Sequence, residues 1–128
     1  MIEPSPEHDF AAGQIVDSAF AVHSTLGPGL LESVYEQCLE HELRCRNLLV
    51  ARQIALPVIY RGISIDGGFR IDMLVNNLVI VEIKAAEKLL PIHEAQLLTY
   101  LKLSQKRLGL LINFNTVRVK DGIRRLIR

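Results

Sequence analysis

Leu78-Val79-Ile80-Val81-Glu82-Ile83-Lys84 is the stretch on which the reading of this chain turns. It is β-branched at Val79, Ile80, Val81 and Ile83, and such an apolar run reads as a buried strand. Two charges, Glu82 and Lys84, sit inside it. Strand side chains alternate between faces, so Glu82 and Lys84 share one face with Ile80, while Val79, Val81 and Ile83 take the other. Charged groups are seldom placed on a central strand unless they are paired or ligate something. The plainer alternative is a solvated strand end carrying an ion pair, and the neighbouring segments bear on the choice.

Immediately upstream, residues 69–75 alternate and place Arg70, Asp72 and Leu74 on one face, before Asn76-Asn77 turns the chain back. A plain two-residue loop there would oppose Val75 to Leu78 and Asp72 to Val81. Opposed residues share a face, so Glu82 would then point away from Asp72. A common site needs one extra residue, either a three-residue loop Asn76-Asn77-Leu78 or a bulge between Asp72 and Glu82. Turn chemistry favours the first register and a shared site demands the second; the second is the expectation here, with Lys84 toward the Arg70 side.

Downstream, Pro91 opens a helix over residues 91–103, on which Leu97, Tyr100 and Leu101 form an apolar stripe interrupted by His93 and Gln96. Gln96 and Tyr100, at i and i+4, share a face. Residues 107–114 read as a further, central strand, and 116–128 as a short basic hairpin around Asp121-Gly122. Before the opening stretch, Asp9 is placed to cap a helix over residues 10–25, with His23 suiting its negative end and Gly27-Pro28-Gly29 stopping it. A second helix spans residues 30–46, with Leu31, Val34, Tyr35, Cys38 and Leu39 as its stripe. Glu32 borders that stripe, whereas Glu36, Glu40 and Glu42 read as solvent-facing. Residues 49–54 and 56–60 are short strand-like runs, the second confined to an edge or a strand start by Pro57. Helices flanking one sheet give an α/β arrangement.

The 128 residues fit one domain, with residues 1–8 as a loose N-terminal segment. At 49% hydrophobic and 23% charged, without tryptophan, the chain can fill a compact aliphatic core. No apolar run approaches the roughly 18–20 residues of a membrane span, and the polar, acidic start is unlike a signal peptide, so cytoplasmic residence is the expectation. Cys38 and Cys45 lie two helical turns apart, too far for a disulfide, and no Cys/His spacing suits zinc. The net charge of +1 conceals an asymmetry: residues 1–101 sum to −6 and residues 102–128 to +7. Lys102, Lys106, Arg124, Arg125 and Arg128 in the basic part are candidates for a polyanion surface, the alternative being a solvated face that neutralises the acidic part.

Asp72, Glu82, Lys84, Gln96 and Glu32 thus converge. Two carboxylates on adjacent strands, without cysteine or a histidine cluster, suit a hard divalent cation such as Mg²⁺. Lys84 could polarise a water or hold a phosphate. No Ser-His-Asp order, P-loop or dinucleotide fingerprint occurs.

An Asp on one strand of a hairpin, Glu-x-Lys on the other and a Gln-bearing helix beyond resemble the PD-(D/E)XK nuclease superfamily. Gly29-Leu30-Leu31-Glu32-Ser33-Val34-Tyr35 resembles the signature of its GxxExxY family. Arg70-Ile71-Asp72, Val81-Glu82-Ile83-Lys84-Ala85, residues 93–101 and Gly109-Leu110-Leu111-Ile112-Asn113-Phe114 follow in the same order. Ile71 stands where the superfamily name has Pro. The resemblance implies a restriction-endonuclease-like αβββαβ core and a Mg²⁺- or Mn²⁺-dependent nuclease. Asp72, Glu82 and the Ile83 backbone carbonyl would hold the metal, Lys84 would lie near the attacking water, and Glu32 and Gln96 would complete the site. Arg70, His93, Tyr35 and Tyr100 are further candidates around it. The partner would be nucleic acid, DNA ahead of RNA, and so short a chain is a candidate for homodimerisation. The alternative is a non-catalytic nuclease fold that binds nucleic acid or a partner protein.

Overall fold

The computed structural model describes residues 3–128. Helix α1 (Pro6–Leu26) starts earlier than Asp9 suggests. The Ser5 hydroxyl accepts the His8 N–H, the His8 ring accepts the Ser5 N–H, and Pro6 fits the first turn. The expected loose start therefore becomes helical from Pro6, and residues 1–2 lie outside the described residues. Helix α2 covers Glu32–Cys45. The strands are β1 (Val50–Ala55), β2 (Val58–Tyr60), β3 (Ile63–Ile65), β4 (Arg70–Val75), β5 (Val79–Lys84), β6 (Leu108–Asn113) and β7 (Ile123–Ile127), with helix α3 (Pro91–Ser104) between β5 and β6.

One sheet, in the order β1-β4-β5-β6-β7, organises the molecule; β2 and β3 form a separate small hairpin. Only β5 and β6 are parallel, as the α3 crossover requires, and the other neighbours are antiparallel. Both faces are covered. On one, α1 and α2 supply Ile15, Tyr35, Leu39 and Leu43 to a core shared with Val79, Val81 and Ile83. On the other, Leu97, Tyr100 and Leu101 of α3 pack on Ile80 and Leu111. A central strand buried on both faces explains the near-continuous apolar run of β5. This is a mixed α/β, restriction-endonuclease-like architecture.

Residues 116–128 do not pair with each other as expected. Val119–Gly122 forms a 3₁₀ turn, and β7 instead pairs with β6 from Ile112↔Ile123 to Leu108↔Ile127. Gly122 lies against the backbone carbonyl of Asn113, leaving no room for a side chain, so the segment folds back onto the sheet. His23 likewise does more than face a helix end: it is buried, and its Nε2 meets the Thr116 carbonyl at 2.8 Å, tying α1 to this segment.

Candidate active site

The β4–β5 register sets the site. Val75 pairs with Val79, Leu74 with Ile80 and Met73 with Val81, which brings Asp72 level with Glu82. The loop is the three-residue Asn76-Asn77-Leu78, and the register that would oppose Val75 to Leu78 does not form, although the turn itself is tight. Asn76 and Asn77 have φ of 53° and 56°, and the Leu78 N–H donates to the Val75 carbonyl at 3.0 Å, as in a tight two-residue turn. Leu78 nevertheless stays outside the pairing and supplies the extra loop residue.

Beyond Val81 the ladder ends and side chains take over. The Asp72 N–H donates to Glu82 Oε2 at 2.8 Å, and the Ile83 N–H donates to Asp72 Oδ2 at 2.8 Å. The Ile83 carbonyl points to the same side as its N–H, toward the gap where β4 no longer pairs. Asp72 does not share a face with Arg70 and Leu74 as simple alternation demands. Met73 and Val75 join the α1/α2 core, but Ile71 and Leu74 join the α3 core, so β4 turns over between Ile71 and Met73.

Glu82 is 5% exposed, and burial together with the Asp72 charge pushes its carboxyl up to about 8. Burial raises Asp72 as well, with the charges of Glu36 and Glu32 adding to it, against the Ile83 N–H and Lys84, which lower it. A buried and a half-buried carboxyl so close together suit a divalent cation, which would relieve the repulsion between them once both are ionised. Their donor chemistry fits Mg²⁺, which needs few protein oxygens because it keeps several waters. No cluster of three or more His, Cys, Asp or Glu side chains able to hold a metal occurs among the described residues, and the candidate donors here are this pair and the Ile83 carbonyl.

A family model of the PD-(D/E)XK nuclease superfamily matches residues 10–126. The chain belongs to this superfamily. No curated protein and no solved structure matches it.

Around the Asp72–Glu82 pair, the other expected residues divide. Lys84 lies on β5 two residues beyond Glu82 and is partly buried. Glu32 opens α2, exposed, and lines an open cleft of about 600 Å³ with Asp72, Ser33, Glu36 and Gln53. Gln96 donates to the Tyr100 hydroxyl at 3.1 Å. The Tyr100 phenol, on α3, is raised by burial and by the charges of Glu82 and Asp72. Tyr35 and His93 have structural work instead. Tyr35 is fully buried and stacked on Phe114 at 4.6 Å; its hydroxyl donates to the Gly27 carbonyl at 2.6 Å and accepts the Leu30 N–H at 3.1 Å. It thereby fixes the loop that delivers Glu32. The His93 Nδ1 accepts the Leu90 N–H at 3.0 Å and caps α3. Arg70 is exposed and reaches the Gln53 carbonyl at 3.4 Å.

The basic set is not gathered at the carboxylates. Lys106 donates to the Asn77 carbonyl at 3.1 Å, and the Arg128 N–H bonds Arg107, so both mark the far end of the sheet. Lys102, near the end of α3, runs to that end too. Arg125 pairs with Asp9 at 2.9 Å. Arg124, opposite Leu111, is level with Glu82 but two strands away. The chain folds this basic stretch antiparallel along the edge of the sheet, which spreads its charges over the sheet's length. Arg118 and Lys120, in the segment after β6, lie at the Lys84 end.

Glu36 was expected to face solvent and does not. It is 5% exposed, with Arg52 at 2.8 Å and the Gln53 amide at 3.0 Å on its carboxylate. Its spacing on α2 carried no signal that separates it from a solvent-facing helix acid. Asn113 is also buried, its side chain bonding the Ala86 N–H and carbonyl at 3.1 and 3.0 Å and so anchoring the chain after Lys84.

Proposed function

We propose that this chain is a GxxExxY-type member of the superfamily and a metal-dependent nuclease that hydrolyses nucleic-acid phosphodiester bonds. The observation that carries this reading is the register that sets Asp72 level with Glu82. Asp72, Glu82 and the Ile83 carbonyl would hold Mg²⁺ or Mn²⁺, which when bound neutralises phosphoryl charge and makes its water acidic. Lys84, on the face of Glu82, binds a non-bridging phosphate oxygen and stabilises charge developing there. Glu32, at the exposed mouth of the cleft, takes the proton of the attacking water, and the Gln96–Tyr100 pair orients groups on the α3 side. The substrate is nucleic acid, DNA ahead of RNA.

Nicking of supercoiled plasmid and cleavage of labelled RNA, with Mg²⁺, Mn²⁺ or chelator, test this reading. Cleavage should need the metal, and Lys84→Ala should lower it on the order of a hundredfold or more. Binding of either substrate without cleavage at saturating Mn²⁺ would assign the fold to binding instead.

A further inference from the structure

Strand β1 does not run straight past the carboxylates. Gln53 has φ of 52°, a left-handed conformation that residues other than glycine seldom adopt. The β1–β4 ladder pairs Arg52 with Met73 and Ile54 with Ile71, and omits Gln53 and Asp72 between them. Both strands change face at this point: Val50 and Met73 join the α1/α2 core, while Ile54 and Ile71 pack in the α3 core. By alternation from Met73, which pairs with β5, the Asp72 N–H would aim at β1. It donates to the Glu82 carboxylate on β5 instead, and the Gln53 carbonyl is left to the Arg70 guanidinium. The turnover at Gln53 is what hands Asp72 to Glu82.

Something must hold Gln53 in this conformation, since such strain persists only where the surroundings over-determine it. Glu36 on α2 does so. Both its carboxylate oxygens accept the Gln53 amide, at 3.0 and 3.1 Å, and Arg52 bonds it at 2.8 Å while reaching Glu40 at 3.1 Å. Two successive β1 residues are thereby pinned to one buried carboxylate, at the position opposite Asp72.

We infer that Glu36, Arg52 and Gln53 form a positioning clamp that turns β1 and β4 over and sets the Asp72 carboxylate for a divalent cation. The cation rests on the proposed metal-dependent reading; the clamp's effect on Asp72 does not. These are positioning residues, acting through Asp72.

Two readouts on the full chain test the clamp: Mn²⁺ affinity by calorimetry and the NMR shift of the Asp72 amide proton. Gln53→Ala removes the amide and disfavours positive φ; Gln53→Gly removes the amide but accepts that φ readily. Gln53→Ala should weaken Mn²⁺ binding by about tenfold or more and move the Asp72 amide signal. Gln53→Gly should stay within about threefold of wild type and leave the signal in place. Adding Gln53→Gly to Glu36→Ala should restore part of the affinity that Glu36→Ala loses. A merely structural role would lower the stability of both Gln53 variants without separating their Mn²⁺ affinities. Gln53→Ala with wild-type affinity and an unmoved Asp72 amide would overturn the clamp. A wild type that binds no Mn²⁺ would instead overturn the metal reading, and the amide signal alone would then decide the clamp.

Discussion

Asp72 and Glu82 each complete the other's strand: the Glu82 carboxylate accepts the Asp72 N–H and the Asp72 carboxylate accepts the Ile83 N–H, both at 2.8 Å. The two bonds replace the next rung of the β4–β5 ladder and hold two acids together where the strands part. One oxygen of each is used in this way. The arrangement keeps two acids side by side, one buried and one half-buried, and the consequences can be measured.

Stability without metal should fall as pH rises. The Glu82 carboxyl, raised from about 4.5 to about 8, binds its proton more tightly in the folded chain than in the unfolded one. Stability present below the unfolded value is therefore lost between roughly pH 4.5 and 8, by up to about 1.4 kcal/mol per pH unit. Asp72, also raised, acts in the same direction. Glu82→Gln keeps an acceptor for the Asp72 N–H and removes the charge, so urea denaturation should find it more stable than wild type at pH 8 and less dependent on pH. Parallel pH profiles for the two proteins would count against the buried repulsion.

Tyr35→Phe keeps the stack on Phe114 and removes the hydroxyl that bridges Gly27 and Leu30. The expected cost is about 1–2 kcal/mol, read by denaturant unfolding. Amide exchange at Leu30, ahead of Glu32, should rise. No change at either readout would mean that the hydroxyl does not hold this loop.

Basic residues stand at both ends of the sheet. Arg118 and Lys120 lie at the Lys84 end of the sheet, and Lys106 and Arg128 at the Asn77 end. Neutralising Arg118 and Lys120 together should flatten the salt dependence of duplex binding by up to about two units of slope. Neutralising Lys106 and Arg128 should leave it nearly unchanged. The reverse ranking would return the contact surface to the β7 edge.

What the sequence made legible was local. The β-branched run at Val79–Ile83 specified a doubly buried strand, and the periods of α2 and α3 specified which faces they bury. The register was not local: Asn76-Asn77 does form the tight turn its chemistry favours, yet the pairing skips Leu78, and only the requirement that Asp72 meet Glu82 chose correctly. Glu36 was illegible because a surface helix acid and a buried one obey the same spacing; its partners, Arg52 and Gln53, come from a strand 16 and 17 residues away. The turnover at Gln53 left no pattern, since alternation is read on the assumption that a strand keeps its twist regular. The tail pairs with β6 rather than itself because Gly122 packs on Asn113, a contact that no local turn rule contains.

The central claim is that Asp72 and Glu82 are a divalent-cation site and not merely a structural pair. Calorimetric titration of the wild type, Asp72→Asn and Glu82→Gln with Mn²⁺ and Mg²⁺ tests it most directly. Saturable binding by the wild type is expected, weakened by about tenfold or more in either variant, while metal-free stability at pH 8 holds level or rises because one charge of the pair is gone. No divalent binding by the wild type, with both variants destabilised, would make the two carboxylates structural and contradict the account.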